Sequence, residues 1–323
     1  GGMIRGDQRA GIACAGNWIL DRIHLLDRWP GESELCHIGR SEAAVGGGAA
    51  NVAFDLAAFG VKYPVLPLGL IGGDDAGDRI VAECLSRGLS TELLRPGIWP
   101  DGTRPETAQT HVMTVPGQSR TFFYHGGTND LFDETHVDVE ALDRRGIRVF
   151  YLGYLNLLPR LSGLRAEGIS GAALLLSQLV SRGIMTCVDL VSTDSPRYRQ
   201  EVEAALPMID VLVLNEIEAA RASGIAIPGD DPRPAMAAAA DALLTRGVRP
   251  QTLHMPTLVL WKSRELELWT IPDPVPREEI VSPVGAGDAF AAGCLHGLHE
   301  GWDPSDTLAL ALRAAAACLR GLG

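Results

Sequence analysis

The chain has 323 residues, 46% of them hydrophobic and 21% charged, which are ordinary globular proportions. That length allows about two domains or one large α/β domain with an addition. No stretch free of charge exceeds 14 residues, short of the roughly 18 a spanning helix needs, so a membrane-spanning protein is excluded and so is a disordered one. The 28 Lys and Arg against 40 Asp and Glu give a net charge of −12, which argues against nucleic acid or an anionic membrane as partner and asks for a local positive site under any anionic ligand.

Cys14, Cys36, Cys84, Cys187, Cys294 and Cys318 are scattered without paired metal spacing, and are expected to be reduced, mostly buried thiols. The start, Gly1-Gly2-Met3 followed by Arg5, Asp7 and Arg9, reads as a cloning remnant with no apolar secretory run, so a cytoplasmic location is the expectation.

In chain order, short apolar runs at 11–16, 65–72, 149–155, 184–190, 210–215 and 257–261 predict strands. Between them, segments 49–59, 76–87, 165–182, 197–206, 232–246, 287–300 and 305–320 carry apolar positions three and four apart and predict helices. The alternation predicts βαβ units and a mainly parallel sheet covered on both faces. Residues 29–45 and 105–128 break the rhythm with alternating runs such as THVMTV and RTFFYHG. They are expected to form a small antiparallel insertion covering a site.

Three segments carry candidate chemistry. Gly46-Gly47-Gly48-Ala49-Ala50-Asn51 puts three glycines before a helix, marking a backbone held close to another element or a ligand. Asn51 there either caps or binds a polar substrate. Asn215-Glu216-Ile217-Glu218 follows a strand, at the crevice where open α/β sheets bind ligands; its acids either start a helix or hold Mg²⁺ through water. Gly285-Ala286-Gly287-Asp288 opens an Ala-rich helix, where free N–H groups and the helix dipole suit a phosphate. Asp288 in that first turn either caps the helix or takes the proton of a substrate hydroxyl.

Together with Gly16 to Asp21, Gly72-Gly73-Asp74-Asp75-Ala76-Gly77 and Gly126-Gly127-Thr128-Asn129, these segments stand in an order that resembles the PfkB (ribokinase-like) carbohydrate kinase family, over about residues 11–321. The resemblance implies a single ribokinase-like domain across 1–323: a three-layer α/β/α fold with a mainly parallel central sheet and a small inserted β lid at about 29–45 and 105–128. It implies transfer of the ATP γ-phosphoryl group, with Mg²⁺, to a hydroxyl, expected to be primary, on a small sugar or sugar-like substrate. Asp288 matches the family's catalytic base and the N–H groups of Gly285, Ala286 and Gly287 its anion hole. Asp21, Gly47, Gly48 and Asn51 match substrate-contacting positions. Asn215 and Glu218 match the motif that orders Mg²⁺ and phosphate, with Glu218 on the metal side. A homodimer joined through the lid is a further implication, and a nucleoside kinase or a catalytically silent sugar- or nucleotide-binding sensor are the alternatives.

The sequence also departs from the family. Ser282 stands where an aspartate usually shapes a monovalent-cation site, which puts potassium activation in doubt. Ile19 replaces a polar substrate-facing residue. The strand at 257–261 is followed by Lys262-Ser263-Arg264-Glu265 where the family has a glycine turn along the nucleotide; Lys262 or Arg264 either supplies phosphate charge there or the segment is a solvated hairpin tip. Trp18 and Phe123 either stack on a ligand or pack in the core. His111, His125, His136, His254, His296 and His299 show no ligand spacing and are expected to be structural or exposed.

Overall fold

A computed structural model of the protein describes residues 8–118 and 120–322. Residues 1–7, read above as free of a leader, lie outside the described residues, as do Ser119 in the expected insertion and Gly323. Strand β1 (Ile12–Gly16) is followed by β2 (Ile19–Leu26), β3 (Ile38–Gly46), helix α1 (Gly48–Ala58), β4 (Val65–Ile71), α2 (Asp75–Ser86) and β5 (Leu94–Pro96). Next come β6 (Gln109–Thr114), β7 (Thr121–His125), two short helices α3 (Thr128–Leu131) and α4 (Val139–Arg144), β8 (Val149–Gly153), α5 (Pro159–Ser162) and α6 (Gly171–Ser181). The remainder is β9 (Met185–Asp189), α7 (Tyr198–Ala205), β10 (Val211–Asn215), α8 (Glu216–Ser223), α9 (Arg233–Thr245), β11 (Gln251–His254), β12 (Val259–Lys262), β13 (Glu267–Thr270), α10 (Ala286–Glu300) and α11 (Pro304–Leu319).

Among the described residues, nine strands form one sheet in the order β13-β12-β11-β10-β9-β8-β1-β4-β5. Neighbours from β11 to β5 run parallel, while β12 and β13 close the other edge antiparallel. The strand period of two sends alternate side chains to opposite faces. Ala13, Phe150, Leu152, Leu212 and Leu214 join Leu175, Leu179, Val202 and Leu243 in one core. Their neighbours Ile12, Cys14, Val149, Tyr151, Val211 and Val213 join Phe54, Ile80, Phe290, Leu295 and Leu308 in the other. Each fully buried Val, Leu, Ile or Phe among them contributes about 1.5–3 kcal/mol, so both faces of the sheet must be covered by helices. This is the expected three-layer arrangement.

A second sheet, in the order β3-β2-β6-β7, stands apart from the first. The insertion expected at 29–45 and 105–128 therefore exists with different bounds. Residues 27–37 are turns, and β2 supplies a strand that the sequence reading missed. Pro30 and Gly31 end pairing there, while the consecutive apolar Ile19 and Leu20 hide the alternation of β2. The expected helix at 165–182 is shorter, because the left-handed Glu167 and Gly168 break it and Ser170 caps α6 by accepting from the Ala173 N–H at 3.1 Å.

Candidate active site

Parallel pairing aligns the carboxyl ends of the central strands. Gly16 lies opposite Gly153, Val213 opposite Asp189 and Asn215 opposite His254, so residues far apart in sequence share one edge, the edge where such sheets bind ligands. Helix α10 starts at that edge. Gly285 adopts φ 86° as its N-cap with no side-chain cap; the Ala286 N–H reaches the Pro283 carbonyl at 3.4 Å, while the Gly287 and Asp288 N–H groups make no hydrogen bond to a described residue and are open to an anion. Asp288 does not cap; its side chain turns elsewhere.

Asp288 is buried, and its Oδ2 accepts two hydrogen bonds, from Tyr154 Oη at 2.6 Å and Asn51 Nδ2 at 2.8 Å. Burial pushes its pKa up to about 6, and the two donors hold it from rising further. The donors come from elements that glycines bring close. A Cβ at Gly48 would meet the Tyr154 ring at 2.9 Å, and one at Gly47, which has φ 96°, would overlap the Asn17 carbonyl. Asn17 Oδ1 in turn accepts from the Tyr154 N–H. The glycine run is thus held close to other elements of the protein, so that α1 delivers Asn51 beside α10.

Asn215 and Glu218 form a capping box on α8: Asn215 Oδ1 accepts from the Glu218 N–H at 2.8 Å, and Glu218 Oε1 accepts from the Asn215 N–H at 3.0 Å. Ser192 Oγ donates to Glu218 Oε2 at 2.9 Å. Glu218 is nonetheless buried, which pushes its pKa up to about 7. Asp189, at the end of β9, is buried too and accepts from Tyr151 Oη at 3.0 Å. Burial, then the Asp288 and Glu218 charges, raise its pKa well above the carboxylate range.

These groups surround a cavity of about 150 Å³ lined by Tyr154, Asp189, Asn215, Glu218, His254, Gly285, Gly287 and Asp288. A larger, mostly apolar cavity of about 550 Å³ shares Asn215, His254 and Gly287 with it and runs between Val259, Phe290, Leu312, Ala315 and Leu319. Asp21 sits in the second sheet, opposite Ala44 and Thr110. A side chain at Gly46 would overlap its carboxylate, and burial pushes its pKa up to about 6 against a hydrogen bond with Thr110.

Lys262 is not brought to this site. Because β12 runs antiparallel to β11, Lys262 lies opposite Gln251 at the far end of the sheet, and its ammonium faces Glu267 at 3.4 Å and Asp241 at 3.6 Å. The turn on the site's side is 255–258, whose Met255 and Pro256 line the larger cavity. Trp18 is core: fully buried, donating to the Leu68 carbonyl at 2.9 Å and edge-on to Phe54. Phe123, by contrast, is 51% exposed on β7. Ser282 Oγ accepts from the Val284 N–H at 3.2 Å, a local turn bond. Sequence reasoning missed Asp189, Tyr154 and Tyr151 and passed over His254; ending or following a strand at the carboxyl edge was the available signal for Asp189, Tyr154 and His254, while Tyr151 lies inside β8.

Phosphoryl transfer to an alcohol asks for a carboxylate beside unused helix N–H groups, and the start of α10 presents both. Over residues 9–323 the chain matches the pfkB family carbohydrate kinases, and it belongs to that family. It is 24% identical to an adenosine kinase of Schizophyllum commune, across 94% of this chain and 86% of that protein. The structure of Arabidopsis thaliana ribokinase complexed with ribose and ATP superposes with a TM-score of 0.81 at 21% identity, covering 98% of this chain and 94% of that one. A Burkholderia thailandensis nucleoside kinase in complex with inosine gives 0.67 at 18%, covering 97% and 92%. These likenesses show the fold. No helix among the described residues is long and apolar enough to cross a membrane.

Proposed function

We propose that this kinase phosphorylates a hydroxyl, expected to be primary, of a small sugar or sugar-like substrate from ATP, with Asp288 as general base. The observation that carries the reading is a buried Asp288 carboxylate with one oxygen fixed by Tyr154 and Asn51, beside the uncapped first turn of α10 and a cavity. Asp288 takes the proton of the acceptor hydroxyl as its oxygen bonds to the γ-phosphorus and the bridge to the β-phosphate breaks, releasing ADP. The N–H groups of Gly285, Ala286 and Gly287 stabilise the charge on the transferring group. The larger cavity takes the nucleoside part of ATP. Asp21, Asn51 and the Gly47–Gly48 backbone bind the acceptor, and the second sheet shields the reaction from water.

Asn215 and Glu218 would hold Mg²⁺ and the nucleotide phosphates. The chemistry of the donors fits a hydrated magnesium ion: no three His, Cys, Asp or Glu side chains among the described residues converge as direct ligands, and this ion keeps most of its waters. When bound, it neutralises charge on the phosphates. Three buried carboxyls with raised pKa values, Asp189, Glu218 and Asp288, suit such an arrival. Lys262 has no part in this reading.

A nucleoside acceptor is the second reading, favoured by the exposed aromatic run Phe122, Phe123 and Tyr124 on β7. The same run at the edge of the second sheet supports a homodimer through the lid; a monomeric mass by light scattering at micromolar concentration removes that proposal. ADP release from Mg-ATP across pentoses, hexoses, sugar acids and nucleosides, with Asp288→Asn alongside, tests the function. Turnover on one class that collapses in the variant supports it, and ligand binding without turnover on any compound refutes it.

A further inference from the structure

We propose that His254 binds the phosphates of the nucleotide, hydrogen-bonding to them where the two cavities meet. The inference rests on the larger cavity being the nucleotide pocket. His254 ends β11 opposite Asn215 and lines both cavities. Its ring lies 4.6 Å from the Phe290 ring, and its Cε1 stands 3.8 Å from where a side chain at Gly287 would begin. The imidazole is thus fixed against the first turn of α10, beside the N–H groups proposed to hold the transferring phosphoryl group.

Two further observations point to a phosphate. The ring nitrogens make no hydrogen bond to any described residue, so both are available to a ligand. Among the described residues lining the two cavities there is no Lys or Arg, whereas Asp189, Glu216, Glu218, Asp273 and Asp288 are all acidic. A polyphosphate entering this surface finds one basic side chain, His254. Burial favours its neutral form, which still offers one N–H. It therefore serves as an oriented donor, complementing the backbone N–H groups that carry most of the anion's stabilisation.

The test compares His254→Leu and His254→Gln in the full chain, measuring equilibrium binding of adenosine, ADP and a non-hydrolysable ATP analogue by calorimetry. A hydrogen bond to a charged group sets the scale, so His254→Leu is expected to weaken ADP and the ATP analogue roughly 10- to 100-fold. It leaves adenosine affinity and the acceptor KM unchanged. His254→Gln, which keeps an N–H donor, recovers most of the loss. Equal binding by wild type and the Leu variant, equal weakening by Leu and Gln, or a loss that includes adenosine overturns the proposal. Melting curves check that both variants fold. If the wild type binds neither ADP nor the ATP analogue, the nucleotide-pocket reading itself fails; if Asp288→Asn turns over normally, the base assignment fails while the binding result for His254 still stands.

Discussion

Replacing Tyr154 by Phe removes one of the two hydrogen bonds on Asp288 Oδ2 while keeping the ring that packs over Gly48. Both donors favour the ionised carboxylate, so losing one raises its pKa from about 6. A hydrogen bond to a charged group is worth about 1.5–3 kcal/mol, and one pKa unit corresponds to about 1.4 kcal/mol, so the expected rise is about 1–2 units. At pH 7 a base with a pKa near 6 is about nine-tenths ionised, and one near 7–8 is about half to one-tenth ionised. The acid limb of the kcat/KM profile, which reports the free enzyme's base, should therefore move up by about 1–2 pH units. Activity at pH 7 should fall about 2- to 10-fold, with recovery by about pH 9. The nucleotide KM should stay fixed. A Tyr154→Phe enzyme with an unmoved acid limb refutes the assignment of Asp288 as the titrating base or of Tyr154 as its support.

Asp288→Asn should lower turnover by at least about 10²-fold, the usual contribution of a general base. It should also raise the melting temperature at pH 8. The folded-state pKa is raised above the unfolded value, so the ionised form destabilises the fold by up to about 3 kcal/mol above pH 6, and that gain should shrink as the pH falls from 6 to 4 and vanish below about pH 3, where both states are protonated. Gly47→Ala should cost more than about 1–3 kcal/mol, from its positive φ and the overlap with Asn17, and lower the melting temperature by several degrees. Lys262→Ala, by contrast, should leave the nucleotide KM unchanged and alter stability by less than about 1 kcal/mol, since its partners Asp241 and Glu267 are largely solvated. A raised nucleotide KM in that variant would return Lys262 to the site.

What was legible in the sequence was local. Gly285 to Asp288 lie within one helical turn, so glycine freedom, free N–H groups and a carboxylate could be read together. The same holds for the capping box of Asn215 and Glu218, which are three residues apart. Asp288's partners were not legible as partners. Asn51 is 237 residues away and Tyr154 134 residues away, and only the packing of α1 against α10 and the end of β8 joins them. The glycine run shows the boundary well. That Gly46 to Gly48 must approach something followed from conformational entropy, but each meets a different neighbour: the Asp21 carboxylate, the Asn17 carbonyl and the Tyr154 ring.

Misplacing Lys262 has a topological cause. In a parallel sheet with helical crossovers every strand's carboxyl end points to the same edge, so a strand identified anywhere along the chain fixes the side on which its following turn lies. At an antiparallel edge that inference depends on parity. The four residues of β11 are too few to show a period, and their polar Gln251 and Thr252 are buried within the sheet. With β11 unseen, β12 reads as a parallel strand and the turn after Lys262 falls on the ligand side. Restoring β11 reverses β12 and sends Lys262 to the opposite edge. It also brings 255–258 to the larger cavity and sets His254 at the carboxyl end opposite Asn215, which is why one missed strand both placed a lysine in the wrong location and concealed the histidine that lines both cavities.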